Sequence, residues 1–479
     1  MIKLALPTGD LRTPVAELLS SVGLQVEGYG EGSRQYRLNS LSHEDVRVRV
    51  FRERDIPIQV ALGNYDIGVT SLSWITEMNA RFPQQPLIPL ADLQLGQTIL
   101  FAAVAPTSSS VGQGSRPDRG GSGNTLAALP TPVRIVSEYP NIAEAFARAA
   151  RLPRYRIQAV AGAAEAYPPE DADLVILAAP DEATIQTHGL QPVLRLLDNS
   201  AWLVANAASL ANKDLTAVLT RIREASTPST SGALHLPTPI AITKSNGRAE
   251  RMTDTLRLAV PDGHQQRHVY GALAKAGITF DGYEEKIFVR RPHSGIAGLD
   301  VKVIRPQDMP QLVALGEFDV AITGLDLLSE HLFAFPTSPA HAALDLQVSQ
   351  YNLSAVVDGE LPADNLADAV AYWHRDGKRP LIVASEFAAT ADHYSRSRHF
   401  WRYQVMPIAG ASEGFVPEDA DILIEGTETG RTIAENNLKI IDTIYRSTTC
   451  LIARKDAQLQ GRRHSVYNEL FGLLQRSVA

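Results

Sequence analysis

Apolar positions in this chain come in short runs, each closed by a glycine-bearing turn and followed by helical spacing. IKLALP, near the start, is such a run; Thr8–Gly9–Asp10 follows it, and Val15, Leu18, Leu19 and Val22 then recur at helical intervals. A run too short for a helix, then a turn, then a period near 3.6 predicts strand, loop and helix, the unit of an α/β domain. LRLAVP, Asp262–Gly263 and a helix carrying Val269, Leu273 and Ala276 repeat that unit in the second half. Each unit leads to a basic strand, RVRVFR or LDVKVIR, then a short helix with Val60 and Leu62 or Val313 and Leu315. A second strand, YDIGVT or FDVAIT, follows.

The pattern repeats because the sequence does. RERDIPIQVALGNYDIGVTSLSWITE from Arg52 matches RPQDMPQLVALGEFDVAITGLDLLSE from Arg305 at 11 of 26 positions. GAAEAYPPEDADLVI from Gly162 matches GASEGFVPEDADILI from Gly410 at nine of 15. Two blocks in the same order, at offsets of 253 and 248, mean that a whole module was duplicated. Each copy reads as two α/β lobes. The first copy spans 1–210, with lobe one at 1–98 and lobe two at 99–200. The linker is 211–254. The second copy spans 255–479, with lobe one at 255–350 plus a C-terminal return at 446–479, and lobe two at 351–445. The Ser/Gly-rich stretch 107–131 has too little apolar surface to order itself and reads as a flexible surface insertion. The copies are expected to pack as a pseudo-dimer, since tandem duplication commonly fuses a homodimer. A cleft between lobes is the default ligand site, because strand C-terminal ends and helix N-termini converge there.

Composition narrows the function. The chain has 479 residues, 44% hydrophobic and 20% charged, with a formal charge of -8. That gives no basic field for nucleic acid or an anionic membrane. No window reaches the roughly 18–20 apolar residues of a membrane span, and the start MIKLALPTGD does not read as a secretory signal. A lone Cys450 excludes a disulfide framework. The expected setting is cytoplasmic. His264, His268, His393 and His399 lack the spacing and companion acids of a zinc site, and are expected at the solvent surface.

Candidate chemistry concentrates at EGTETGRTI, residues 425–433, directly after the apolar DADILI. An acid at a strand end, Glu425, can hold the two hydroxyls of a ribose. The turn Thr429–Gly430–Arg431–Thr432 opens a helix and offers backbone N–H groups, two hydroxyls and a cation to a phosphate. A polar turn that merely caps the next helix is the competing reading. Arg52 and Arg305 stand at equivalent positions before Asp55 and Asp308, as phosphate contacts or as structural partners of those acids. Asp66 and Asp319 read first as caps or pairs within a lobe.

These blocks, in this order, resemble ATP phosphoribosyltransferase, the enzyme that opens histidine biosynthesis. ALPTGDL from Ala5, the block from Arg52, VRIVSEYPN from Val133 and the turn at 425–432 correspond to the family's ALPKGRL, RDIPxYVxxGxxDxGITGxDxLxE, IATKYPN and DLVSTGxTLxxNGL. The resemblance covers each copy nearly end to end. It implies an α/β fold that is a tandem duplication of a two-lobed, periplasmic-binding-protein-like (type II) module. It also implies transfer of phosphoribosyl from phosphoribosyl pyrophosphate to N1 of ATP, with Mg²⁺ accompanying the pyrophosphate. Carried over residue by residue, Glu425 would hold the ribose, with Thr429, Gly430, Arg431 and Thr432 on the 5'-phosphate. Asp326 and Arg305 would face the second substrate, beside Thr323 and Gly324; Arg52 and Gly9 match substrate-binding positions of the first copy.

The copies depart from the family differently. Both opening loops lack the lysine and arginine that flank the family's glycine: they read Thr8–Gly9–Asp10 and Asp262–Gly263–His264. The ITGxD block is intact only as Ile322–Thr323–Gly324–Leu325–Asp326; the first copy has Val69–Thr70–Ser71–Leu72–Ser73. At the ribose-phosphate turn the first copy has Leu177 for the acid and Asp181–Glu182 for Thr429–Gly430. Two carboxylates there satisfy the helix N-terminus themselves and repel phosphate. Only the second copy is expected to bind a phosphoribosyl donor. Two other readings compete with an active enzyme: an inactive homologue that binds a nucleotide or histidine-like ligand and regulates a partner, and a two-lobed metabolite-binding module. A further homo-oligomer is compatible with all three.

Overall fold

The computed structural model describes residues 1–41, 45–106, 126–224, 226, 232–240, 254–284, 289–376, 379–428 and 430–478. Each copy contributes two large sheets, and the second adds a two-stranded one, Phe280–Asp281 with His293–Ser294, where the first has the edge strand Arg37–Asn39. In the first copy, lobe one orders its strands Arg37–Asn39, Val46–Phe51, Ile2–Pro7, Ile67–Ser71, Ala201–Asn206 and Leu87–Asp92. Lobe two orders Gln191–Asn199, Thr98–Val104, Leu174–Ala179, Val133–Ser137 and Tyr155–Ala159. The second copy reproduces both orders: Leu299–Ile304, Leu256–Pro261, Val320–Gly324, Thr449–Arg454, Ala340–Asp345, and Leu438–Ser447, Tyr351–Asp358, Ile422–Thr427, Leu381–Ser385, Tyr403–Pro407. Register is kept as well: Ile2 faces Val46 in the first copy as Leu256 faces Leu299 in the second.

The chain crosses between lobes twice in each copy. Strands Ile2–Pro7 and Leu256–Pro261 lie between parallel neighbours, with Leu4 and Leu6, or Leu258 and Val260, fully buried. Near-continuous apolar runs are what such inner strands require, because helices cover both faces. Antiparallel return strands, Ala201–Asn206 and Thr449–Arg454, then close each lobe one. Chain order in each lobe two is otherwise the same, so the polar loops of both lobes face one cleft.

Two stretches differ from the reading of the sequence alone. Thr216–Glu224, within the stretch read as linker, is a helix that buries Val218 and Ile222 against lobe one of the first copy. Residues 232–240 run along the same copy: the His235 N–H donates to Leu196 O at 2.7 Å and the Ile240 N–H to Ala150 O at 3.0 Å. Most of the insertion read at 107–131, and most of the linker after 226, lie outside the described residues.

The two copies pack head to tail about a pseudo-twofold, lobe one of each against lobe two of the other. Asp55 accepts from the Ala409 N–H at 2.8 Å, and Asp308 accepts from the Ala161 N–H at 3.1 Å. Lys302 donates to Glu170 at 2.9 Å and Asp171 at 2.8 Å; at the mirrored contact Arg49 pairs with Glu418 and the Tyr65 hydroxyl donates to Asp419 at 2.6 Å. Phe51 meets Phe415 with ring centroids 4.4 Å apart. The acidic PEDAD run that marks the repeat is therefore the seam between the copies.

Candidate active site

A cavity of about 800 Å³ lies between the lobes of the second copy. Its floor is built by the strand end Ile422–Thr427 and the turn after it, its opposite wall by the start of helix His264–Lys275 and by helix Leu325–Ala334. Gly430, Arg431 and Thr432 line it together. Gly430 has φ +69°, a conformation that favours glycine and presents the N-terminus of helix Arg431–Glu435 to the cavity. Arg431 is exposed and tied to Glu435 at 2.6 Å. Thr429 lies outside the described residues.

Glu425 sits on the cavity wall with Glu386 and Glu413. Burial, and then the like charges of Glu386 and Glu413, push its carboxyl up to about 8. Its neighbours are shifted upward too, Glu386 by burial against the opposing pull of Arg52 and Arg54, Glu413 by burial and then by Glu386. Ser412 donates to Glu425, and the Gly426 N–H reaches it at 3.0 Å. Gly426 leaves room for the Tyr351 ring, which would lie 2.8 Å from a Cβ at that position. This acidic wall suits ribose hydroxyls and a developing positive charge at a sugar carbon.

Lobe one supplies the rest. Arg305 lines the cavity, with its Nη1 3.3 Å from Asp262 Oδ1. Its Nε is buried with no hydrogen-bond partner among the described residues, as is Oε1 of Gln265 on the same wall. The acidic partner of Arg305 is Asp262 and not Asp308, and its Nε lies beside Gly162 of the first copy. Asp326 lines the cavity but is largely occupied, accepting from the Ser447 hydroxyl at 2.8 Å while its N–H donates to that oxygen at 3.1 Å.

One cation comes from the other copy. Arg34 of the first copy lines this cavity. Asn436, one residue beyond helix Arg431–Glu435, grips its loop: the Tyr36 N–H donates to Asn436 Oδ1 at 2.9 Å and Asn436 Nδ2 to Arg34 O at 3.0 Å. The helix after the glycine turn and the loop that carries Arg34 are thereby joined by one side chain. No local pattern marks Arg34, because the contact joins residues 402 apart in sequence.

Several residues expected at the site are elsewhere. Thr323 is fully buried and donates to Pro306 O at 3.0 Å, a structural bond at the strand end. Gly324 is absent from the cavity lining; a Cβ there would overlap the Asp326 carboxylate, so the glycine allows that side chain to fold back. Gly9 belongs to the first copy's own opening loop. Arg52 packs against Gly410 and beside Glu386, behind the acidic wall and outside the cavity lining. Asp66 and Asp319 take the structural role: Asp66 accepts from Ser209 at 2.6 Å and Lys213 at 3.0 Å, Asp319 from the Arg257 N–H at 2.8 Å. Of the four histidines expected at the solvent surface, His264, His393 and His399 are exposed and His268 is half-buried, but the expectation of no companion acid needs correction. His264 and His268 have Glu428 beside them, supplied by the other lobe, and His393 stacks on Phe333 at 4.0 Å.

The first copy's cleft is narrower, with a cavity of about 450 Å³ between its lobes. Trp74 and Tyr139 reach across it with ring centroids 4.6 Å apart; Leu327 and Phe387 occupy those positions in the second copy and line the open cavity. Leu177, in place of Glu425, is buried, and Asp181 caps its own helix by accepting from the Thr184 N–H at 2.8 Å.

Comparison with known proteins identifies the family. The family model for ATP phosphoribosyltransferase matches residues 52–224 and again 305–476, together well over half of the chain. ATP phosphoribosyltransferase of Mesorhizobium japonicum is 28% identical over 217 residues, covering 43% of this chain and 92% of the relative. That of Thermotoga petrophila is 29% identical over 199 residues, covering 40% and 80%. Among solved structures, an ATP phosphoribosyl transferase complex from Thermotoga maritima covers 47% of this chain and 98% of its own at 20% identity, with a TM-score of 0.37. Each relative answers to one copy, and the chain belongs to the ATP phosphoribosyltransferase family, whose module it carries twice.

Proposed function

We propose that this chain transfers phosphoribosyl from phosphoribosyl pyrophosphate to N1 of ATP, releasing pyrophosphate, as the first step of histidine biosynthesis. One composite site in the second copy does so, completed by Arg34 of the first. The observation that carries this reading is the interlobe cavity, which joins the Gly430–Thr432 turn, the Glu425 wall and cations from both copies. Such a transfer asks little of protein acids and bases. Carbon C1 of the ribose gains positive charge as pyrophosphate leaves, and the enzyme contributes positioning and charge complementarity. The turn holds the 5'-phosphate through backbone N–H groups and the Thr432 hydroxyl. Glu425 binds the ribose hydroxyls, and the acidic wall faces the cationic carbon. Arg305 and Arg34 face the anionic groups, and Gln265 Oε1 is an acceptor of the type that reads an exocyclic amine.

Mg²⁺ enters with the pyrophosphate as part of the substrate. Glu386, Glu413 and Glu425 are oxygen donors of the kind that cation prefers, and their crowding would be relieved by it. No helix among the described residues is long and apolar enough to cross a membrane, in keeping with a cytoplasmic biosynthetic role.

A second reading, nucleotide binding without transfer, is favoured by the opening loop. Asp262–Gly263–His264 brings an acid where the family has a lysine. A pyrophosphate-release assay with both substrates separates the two. Turnover is expected, and Arg34→Ala should lower it by about 100-fold, the loss typical of one charge-stabilising donor. Unchanged turnover in that variant would remove the composite site; absent turnover with intact substrate binding would favour the regulator.

A further inference from the structure

We propose that His264, His268 and Glu428 form a binding site for a zinc-class divalent ion, which fastens the two lobes of the second copy together at the mouth of the cavity. His264 and His268 stand one turn apart on the first face of helix His264–Lys275, in lobe one, with ring centroids 5.4 Å apart. Glu428 follows strand Ile422–Thr427, in lobe two, at the start of the phosphate turn. One ligand atom from each residue lies within 4.8 Å of the other two. A tetrahedral ion with bonds of about 2.0–2.1 Å needs donors roughly 3.4 Å apart, which side-chain rotation alone can reach from there. His268 Nε2 is buried with no hydrogen-bond partner among the described residues, and a buried ring nitrogen is costly to leave unpaired.

The donor set selects the ion. Two imidazoles and one carboxylate suit zinc and its transition-metal neighbours, whereas Mg²⁺ prefers oxygen and dehydrates reluctantly. Three protein ligands leave a fourth position open. The positive end of the helix dipole works against a cation here; the Glu428 carboxylate works for it. His264 stands where the family's motif has arginine, so the site is a property of this chain. It stands whether or not the cavity carries out the transfer.

The test uses the untagged full chain, stripped with a chelator, and Co²⁺ as the spectroscopic probe. One equivalent should bind with the intense visible absorption of a four- or five-coordinate site, and Zn²⁺ should displace it and raise the thermal midpoint. Changes merely adjacent to metal ligands cost about 10–100-fold in affinity, so H268A and E428Q should each weaken Co²⁺ binding by about tenfold or more. Each should also abolish the zinc-induced rise. Glu428 is exposed, so E428Q is expected to fold. Weakening below tenfold in E428Q, or a pale six-coordinate spectrum in the parent protein, overturns the proposal. Pyrophosphate release measured separately with Mg²⁺ keeps the fate of the transfer reading distinct.

Discussion

The two clefts of this molecule share a scaffold and differ in what fills them. In both, a glutamate of lobe one crosses to cap a helix of lobe two: Glu77 accepts from the Asn141 and Ile142 N–H groups at 2.9 Å each, and Glu330 from those of Ala389 and Thr390 at 2.8 Å each. In both, a hinge residue ties the start of the facing helix: Asn199 accepts from the Ser73 N–H at 2.8 Å, and Ser447 from the Asp326 N–H at 3.1 Å. The fold was therefore retained on both sides. The first cleft differs from the second in a Trp–Tyr stack across the gap, a leucine in place of the acid, and a carboxylate on the turn. The first copy also lends Arg34 to its twin. The two copies thus present unequal clefts on one scaffold.

The seam gives the largest expected effect, and it too is unequal. Asp171 faces two buried cations, Lys302 and Arg257, whose pull overcomes the effect of its burial and holds its carboxyl low. Its counterpart Asp419 accepts from a neutral tyrosine hydroxyl, and burial raises its carboxyl. Asp171→Ala should destabilise by about 3–5 kcal/mol, because it strands buried charge. Asp419→Ala should cost about 1–3 kcal/mol, the loss of one buried hydrogen-bond partner. Denaturant unfolding of both variants measures the gap; equal losses would mean that the seam is symmetric after all.

Ligand binding comes next. Gly430→Val places a branched side chain at φ +69° and should weaken binding of phosphoribosyl pyrophosphate by about 100-fold, from strain and blocked approach together. Removing both Asp181 and Glu182 should leave binding within about twofold, since Asp181 is exposed and Leu177 still occupies the acid's place. Calorimetry decides it: a loss in the first-copy variant alone would reverse the assignment of working and supporting halves.

The smallest effect is on pH dependence. Burial raises Asp55 and Asp308 to about 7, and Glu425 to about 8. The folded chain thus keeps protons that the unfolded chain has released, and stability falls as pH rises from near 4 to near 8. The carboxyls held low, Glu170 at about 2 and Asp171 among them, act only below that window. Thermal midpoints should be higher at pH 5.5 than at pH 8, and Asp55→Asn with Asp308→Asn should flatten the slope. A midpoint that stays flat across that range would show that these seam carboxyls ionise as freely in the folded chain as in the unfolded one.

The sequence by itself determined the duplicated α/β scaffold, since apolar runs, turns and helical spacing are local and were written twice. It also located the glycine turn that lines the cavity at Gly430–Thr432, whose glycine and helix start are neighbours in the chain, and the carboxylate that caps the matching helix at Asp181. Tertiary structure alone decided which polar residues meet. Thr323 and Gly324 look like site residues in a motif, yet the strand end turns them into the core. Glu386 and Glu413 become a wall only when two loops converge, and Glu428 becomes a neighbour of His264 only across the lobes. Arg34 and the PEDAD acids acquire their roles from packing between copies. Contacts of that kind join residues from tens to hundreds of positions apart, and a local pattern of hydrophobic and polar residues contains no record of them.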